Sequence, residues 1–264
     1  MPREMDFDGY FFDLDGTILL GEQVLPGVID TLAILRKLGK KIYFLSNTTT
    51  RTRGDCLDRL QKLQVEVYLE EIVTAAFTAA IYLRESELQP TVFVVGESAM
   101  FSELEEQGVK HTSNPLEATH VLVGMDLHFK YETIHQAMKA LRHGAALIAA
   151  NPDPNCPIVG DVIPDTWSMV KAIEAASGVS PQAVIGKPSK YYADKVLEWS
   201  GLPSERCLMV GDRLETDILF GSMHGLNTAL VLTGVASESD MNQSPVQPDY
   251  VWTSMEQLLA MIRD

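Results

Sequence analysis

Short β-branched and aromatic runs alternate with segments of helical period through most of this chain, and that alternation restricts the fold more than any other feature. "GYFFDLD" (9–15) precedes "LPGVIDTLAILRKLG" (25–39), and "KKIYFLSN" (40–47) precedes "RTRGDCLDRLQKLQ" (51–64). In the first helical segment Val28, Leu32 and Leu35 share a face, Pro26 suits a first turn and Gly39 suits the position just past the end. Later come the strand "AVIG" (183–186), the helix "KYYADKVLEWSG" (190–201), the strand "CLMVGD" (207–212), the helix "TDILFGSMHG" (216–225) and the strand "NTALVLTG" (227–234). Strands and helices in strict turn predict an α/β fold, a mostly parallel sheet covered on both faces. The middle carries its own alternation, with "TVFVVG", "HVLVGM" and "ALIAAN" as strands and "YETIHQAMKALRHG" as a helix. We therefore expect a second α/β domain at 83–181, inserted into a Rossmann-like core made of 1–82 and 182–264.

The chain has 264 residues, 46% of them hydrophobic, enough for a large core. A net charge of −15 excludes a reader of nucleic-acid backbones, which needs a basic surface. Cys56, Cys156 and Cys207 lie far apart with no CxxC pair, as expected of ordinary thiols in a reducing compartment. The acidic start "MPREMDFDGY" has no apolar core of a signal peptide, and no apolar run reaches the roughly 18 residues that span a membrane. The expectation is a cytoplasmic protein with neither nucleic-acid nor membrane partners.

Polar clusters interrupt the apolar pattern at the ends of four predicted core strands. Asp13 and Asp15 follow "YFF", Ser46 and Asn47 follow "IYFL", Lys187 follows "AVIG", and Asp212 follows "CLMV". The carboxyl edge of an open parallel sheet is where ligands bind. An EF-hand reading of "DLDG" fails, because the sixth and twelfth positions from Asp13 hold Ile18 and Val24 instead of Gly and Glu. A simple turn accounts for Asp15 and Gly16 but leaves Asp13 on an apolar strand unexplained. Three acids facing one crevice would repel by about 4 kcal/mol per pair at 4 Å, a cost that a hard divalent cation removes. Asp217 either belongs with that cation or, with Thr216, caps the following helix. Ser46, Asn47 and Thr48 are helix-capping residues in the plain reading and an anion site in the other.

"DLDGT", "LSN", "GKPS" and "GDRLETD", in this order, resemble the four motifs of the haloacid dehalogenase-like hydrolase superfamily. With "LPG", "FLSNTTTR", "VLVGMD", "NPD" and "LVLTGV" added, the chain is similar from about residue 8 to about 253 to the NagD-type, class IIA phosphatases. The resemblance implies an inserted α/β cap domain, of the kind found in class IIA, on a Rossmann-like parallel-sheet core. It further implies an Mg²⁺-dependent phosphatase of small phosphorylated metabolites. In that family pattern Asp13 is the nucleophile, Asp15 protonates the leaving oxygen and then activates water, and Lys187 neutralises charge. Ser46, Asn47 and Thr48 would bind phosphate, with Asn151, Asp153 and His128 as cap residues near substrate. Mg²⁺ would sit between the Asp13 carboxylate, the Asp15 main-chain carbonyl and Asp212, with Asp217 nearby. A homodimer through the cap is a further implication. The chain departs from the family at "IPDTWSM", where Trp167 and Asp165 either reshape the pocket or, for Trp167, join the core. It departs again at Gln64, where the family commonly has Gly. His128 reads equally as an ordinary surface residue. Two alternatives stand beside hydrolysis: a phosphomutase or phosphotransferase on the same fold, and a non-catalytic phosphate-binding regulatory module.

Overall fold

The computed structural model describes residues 6–86, 89–158 and 160–263. Two compact units emerge, one of Met1–Ser46, Cys56–Val73 and Lys190–Asp264, the other of Asn47–Asp55 and Thr74–Ser189.

The first unit is built on a six-stranded sheet in the order Tyr250–Trp252, Asn227–Val231, Cys207–Gly211, Gly9–Asp13, Lys41–Ser46, Ile72–Thr74. Pairing is parallel from the first of these strands through to Lys41–Ser46. The unbroken apolar run of Gly9–Asp13 follows from its central place, because both faces are covered. Tyr10 and Phe12 pack on one side with Val28, Leu32 and Leu35 of the helix Val28–Lys37 and with Leu258 of the helix Met255–Arg263. Phe11 packs on the other with Tyr192, Ala193 and Val196 of the helix Lys190–Ser200 and with Phe220. Each buried ring contributes about 1.5–3 kcal/mol of transfer free energy, so this strand anchors the unit. Pro26 falls outside the first helical turn: the helix starts at Val28, and Gly27 serves as its N-cap in a left-handed conformation.

The second unit holds a five-stranded parallel sheet in the order Ala183–Val184, Ala146–Ala149, His120–Val123, Thr91–Val95, Lys110–His111. Val121, Val123, Leu147 and Ala149 form a core with Ala137, Ala140 and Leu141 of the helix Tyr131–Arg142 and Met169, Val170 and Ile173 of the helix Thr166–Ser177. Residue Trp167 packs partly buried against this core, with the Lys171 ammonium 4.7 Å from its ring centroid. Asp165 is the N-cap of that helix, accepting from the Thr166 N–H. Beside the expected insert, 83–181, this unit takes in 74–82, 182–189 and Asn47–Asp55, which the sequence reading gave to the core. One expectation needs correcting. The strand Ala183–Val184 does not join the six-stranded sheet; it pairs with Ile148 and Ala149 in the second. A two-residue strand carries no pattern that says which sheet it will enter. Among the described residues no helix is long and apolar enough to cross a membrane.

Candidate active site

The sheet of the first unit brings Asp13, Ser46 and Asp212 to one edge. Register aligns Phe12 with Val210 on one side, and Asp13 with Leu45 on the other, so the next residues along all emerge at the carboxyl ends. Gly9–Asp13 is also where strand order reverses, the place at which open parallel sheets bind ligands. Chain direction there is set by a turn. The strand ends at Asp13, and Gly16 adopts φ 97° in the left-handed region open to glycine. A regular strand would send Asp13 and Asp15 out on the same face; the bend at Leu14–Gly16 separates them.

Asp13, Asp212 and Asp217 converge, each offering a carboxylate oxygen within 4.8 Å of the others. Asp212 and Asp217 are both 1% exposed. The packing around them leaves no room for side chains. A Cβ on Gly234 would lie 1.9 Å from Asp212 Oδ2, and one on Gly211 would lie 2.2 Å from the Asp217 Cβ. The Val235 N–H donates to Asp212 Oδ2 at 2.7 Å, and the Arg213 N–H to Asp217 Oδ2 at 3.1 Å. Asp217 thus serves the start of the turn Leu214–Ile218 and also joins the acid group. An all-carboxylate, all-oxygen donor set suits a hard divalent cation such as Mg²⁺ and offers no soft ligand for zinc or copper. The residues fit the ion that the motifs imply.

The Asp15 carboxylate lies outside this group. It accepts from Arg59 Nη1 at 2.9 Å, and its side chain is 53% exposed. Arg59, on the helix Arg53–Lys62, is anchored in turn by the Gly21 carbonyl at 2.6 Å. Sequence reasoning missed Arg59. Its only signal is its place beside the buried pair Cys56 and Leu60, on the edge of the helix's apolar stripe.

Lys187 belongs to the second unit, so the four clusters are not all at the edge of one sheet. There it is 1% exposed and sits beside Asn151, which is equally buried, on the neighbouring strand end. Asn47 ties them together. Its Oδ1 accepts from the Lys187 N–H at 2.8 Å, and its Nδ2 donates to the Lys187 carbonyl at 3.0 Å and to Asp153 Oδ2 at 3.1 Å. The Asn151 amide donates to the Asn47 carbonyl at 2.7 Å. Thr49, unmarked in the sequence, accepts from the Met125 N–H at 2.9 Å. The Thr48 hydroxyl lies 3.4 Å from that of Thr50. His128 takes no part in this network. It occupies an exposed turn, its N–H donating to Asp126 Oδ1 at 2.8 Å.

Known proteins resemble this chain in sequence and in fold. The haloacid dehalogenase-like hydrolase family model matches residues 10–110, and a second model of HAD-like hydrolases matches 184–258. The chain is 32% identical to the sugar-phosphatase AraL of Bacillus subtilis over 256 residues, covering 97% of this chain and 93% of that protein. Among solved structures it is similar to a p-nitrophenyl phosphatase from Archaeoglobus fulgidus, with TM-score 0.91, 32% identity, and coverage of 97% and 99% of the two chains. It is likewise similar to NagD from Escherichia coli K-12, with TM-score 0.85, 30% identity, and coverage of 94% and 97%. By its motifs, its two sheets and these likenesses, the chain belongs to the haloacid dehalogenase-like hydrolases, in their NagD-type, class IIA branch.

Proposed function

We propose that this protein is an Mg²⁺-dependent phosphatase that hydrolyses monoesters of small phosphorylated metabolites, with sugar phosphates the first to test. The observation that carries the reading is the convergence of Asp13, Asp212 and Asp217 where strand order reverses. In this mechanism an Asp13 oxygen attacks phosphorus, the bond to the ester oxygen breaks, and Asp15 gives that oxygen a proton. Asp15 then takes a proton from water as the water oxygen attacks phosphorus, the Asp13–phosphate bond breaks, and inorganic phosphate leaves. A covalent aspartyl-phosphate divides one hard displacement into two easier ones. Ser46 and Thr48 would offer hydroxyls to phosphate oxygens, and Lys187 a fixed positive charge. Phosphoryl transfer depends on such placement and charge stabilisation more than on covalent chemistry. Asp13, Asp212 and Asp217 would hold Mg²⁺, together with the Asp15 main-chain carbonyl that the family pattern implies, and the ion would supply neutralisation of the phosphate. The name of the sugar-phosphatase relative supports the substrate class.

Phosphate release from sugar phosphates, nucleoside monophosphates, pyridoxal phosphate and p-nitrophenyl phosphate tests this reading. Activity should vanish after dialysis against EDTA and return with Mg²⁺, and Mg²⁺ should raise the melting temperature of the wild type but not of Asp212→Asn. Asp15→Asn should cost about 10²–10⁴ in rate on alkyl phosphates and less on p-nitrophenyl phosphate, whose leaving group hardly needs a proton. Undiminished turnover without metal would overturn the proposal. A phosphoryl group passed to a sugar in preference to water would replace hydrolysis with transfer.

A further inference from the structure

An asparagine side chain has two N–H hydrogens and one carbonyl oxygen. In Asn47 both hydrogens are used, on the Lys187 carbonyl and on Asp153 Oδ2, and the oxygen accepts from the Lys187 N–H. The same amide thus grips the N–H and the C=O of a single residue, as a neighbouring strand would, and fixes the backbone of Lys187 in both directions. The rest of the clamp is equally tied. Asn151 donates to the Asn47 carbonyl, and its own oxygen accepts from the Asp153 N–H at 2.9 Å. Gly186 makes the approach possible, since a Cβ there would lie 2.6 Å from Asn47 Oδ1 and 3.0 Å from the Ala150 carbonyl. Asn151, Asp153 and Lys187 are all buried, where hydrogen bonds are strong and a missing partner is costly.

We propose that Asn47 is a positioning residue for Lys187: its side-chain amide, locked with Asn151 and Asp153, sets the point from which the lysine carries its charge, and that side chain is not a phosphate ligand. The inference rests on the phosphatase reading for the role of Lys187, and it reassigns the Asn47 amide from the substrate to the lysine. A lysine stem is flexible, so the position of its ammonium is only as well defined as its root and its surroundings. A misplacement of about 1 Å in a reacting constellation costs about 10²-fold in rate.

The test combines kinetics with amide exchange. Asn47→Ala, Lys187→Ala and the double variant are assayed for kcat and KM on p-nitrophenyl phosphate with Mg²⁺. Hydrogen exchange is followed in the peptide covering residues 183–190. Asn47→Asp, nearly isosteric but lacking both donors, serves where Asn47→Ala does not fold. The expected result is faster exchange at Lys187, a kcat lower by about 10²-fold with KM changed by less than about threefold, and little further loss when Asn47→Ala is added to Lys187→Ala. Unchanged exchange would overturn the clamp. A raised KM with kcat intact, or additive losses in the double variant, would overturn the positioning role and return Asn47 to the substrate. Should the wild type release no phosphate, the phosphatase reading fails, and exchange alone decides whether Asn47 holds Lys187.

Discussion

Glu103, in the helix Ser98–Glu106, is fully buried. One of its carboxylate oxygens accepts from the Arg53 N–H at 2.7 Å, while the other has no hydrogen-bond partner among the described residues. Burial raises its pKa above the ordinary 4.5, and the bond and charge from Arg53 offset this only in part. The sign of the consequence is fixed by linkage. A carboxyl whose folded pKa is raised favours the folded state fully below its unfolded pKa, and that contribution is lost as pH climbs through the folded value. The wild type should therefore lose stability from about pH 4.5 upward through this group, and Glu103→Gln should remove that part of the slope. Thermal melts of both proteins from pH 4 to 8 measure it. Parallel curves would mean that Glu103 titrates as an exposed acid does. Asp15 makes the contrasting case, since a half-exposed ion pair such as its contact with Arg59 is worth about 0–1 kcal/mol of stability. In the proposed mechanism its part is chemical.

At the scale of single elements, two helices end in the same way with different residues. Val28–Lys37 closes with the Gly39 N–H on the Arg36 carbonyl and the Lys40 N–H on the Leu35 carbonyl, and Gly39 at φ 69°. Arg53–Lys62 closes with the Gln64 N–H on the Gln61 carbonyl and the Val65 N–H on the Leu60 carbonyl, and Gln64 at φ 61°. A left-handed residue with a Cβ is strained by roughly 1–2 kcal/mol, and glycine's extra freedom when unfolded returns part of that. Gln64→Gly should stabilise by about 1 kcal/mol, or about 2–4 °C in Tm, and Gly39→Gln should do the reverse. A destabilising Gln64→Gly would show that the Gln64 side chain holds contacts worth more than the strain. These helix ends were legible in the sequence at Gly39 and in the departure at Gln64. Other elements were not. The ribbon Asn155–Ile158 with Asp161–Pro164 contains Pro157 and Pro164, which lack the N–H a strand uses, and Tyr250–Trp252 is too short to show a period.

At the scale of the molecule, the acid group is assembled by topology. The chain enters at the central strand, builds outward on one side, and returns after the second unit to lay Cys207–Gly211 against Gly9–Asp13. Asp13 and Asp212 meet because those strands are parallel neighbours; their places at strand ends were legible in the sequence, while their pairing was implied only by the resemblance of the motifs. What pattern could not supply is any contact that a side chain makes with residues distant in sequence, or the sheet that a very short strand enters. Arg59 on Asp15 and the Asn47 clamp on Lys187 are of this kind, as is the entry of Ala183–Val184 into the second sheet. The central claim is that Asp13 takes the phosphoryl group. Acid quenching during turnover of p-nitrophenyl phosphate with Mg²⁺, followed by borohydride reduction and peptide mass analysis, tests it directly, because reduction of an aspartyl-phosphate leaves homoserine. The account predicts homoserine at position 13, dependent on substrate and metal and absent from Asp13→Asn. Homoserine at position 15, with Asp13 intact in an active enzyme, would contradict it.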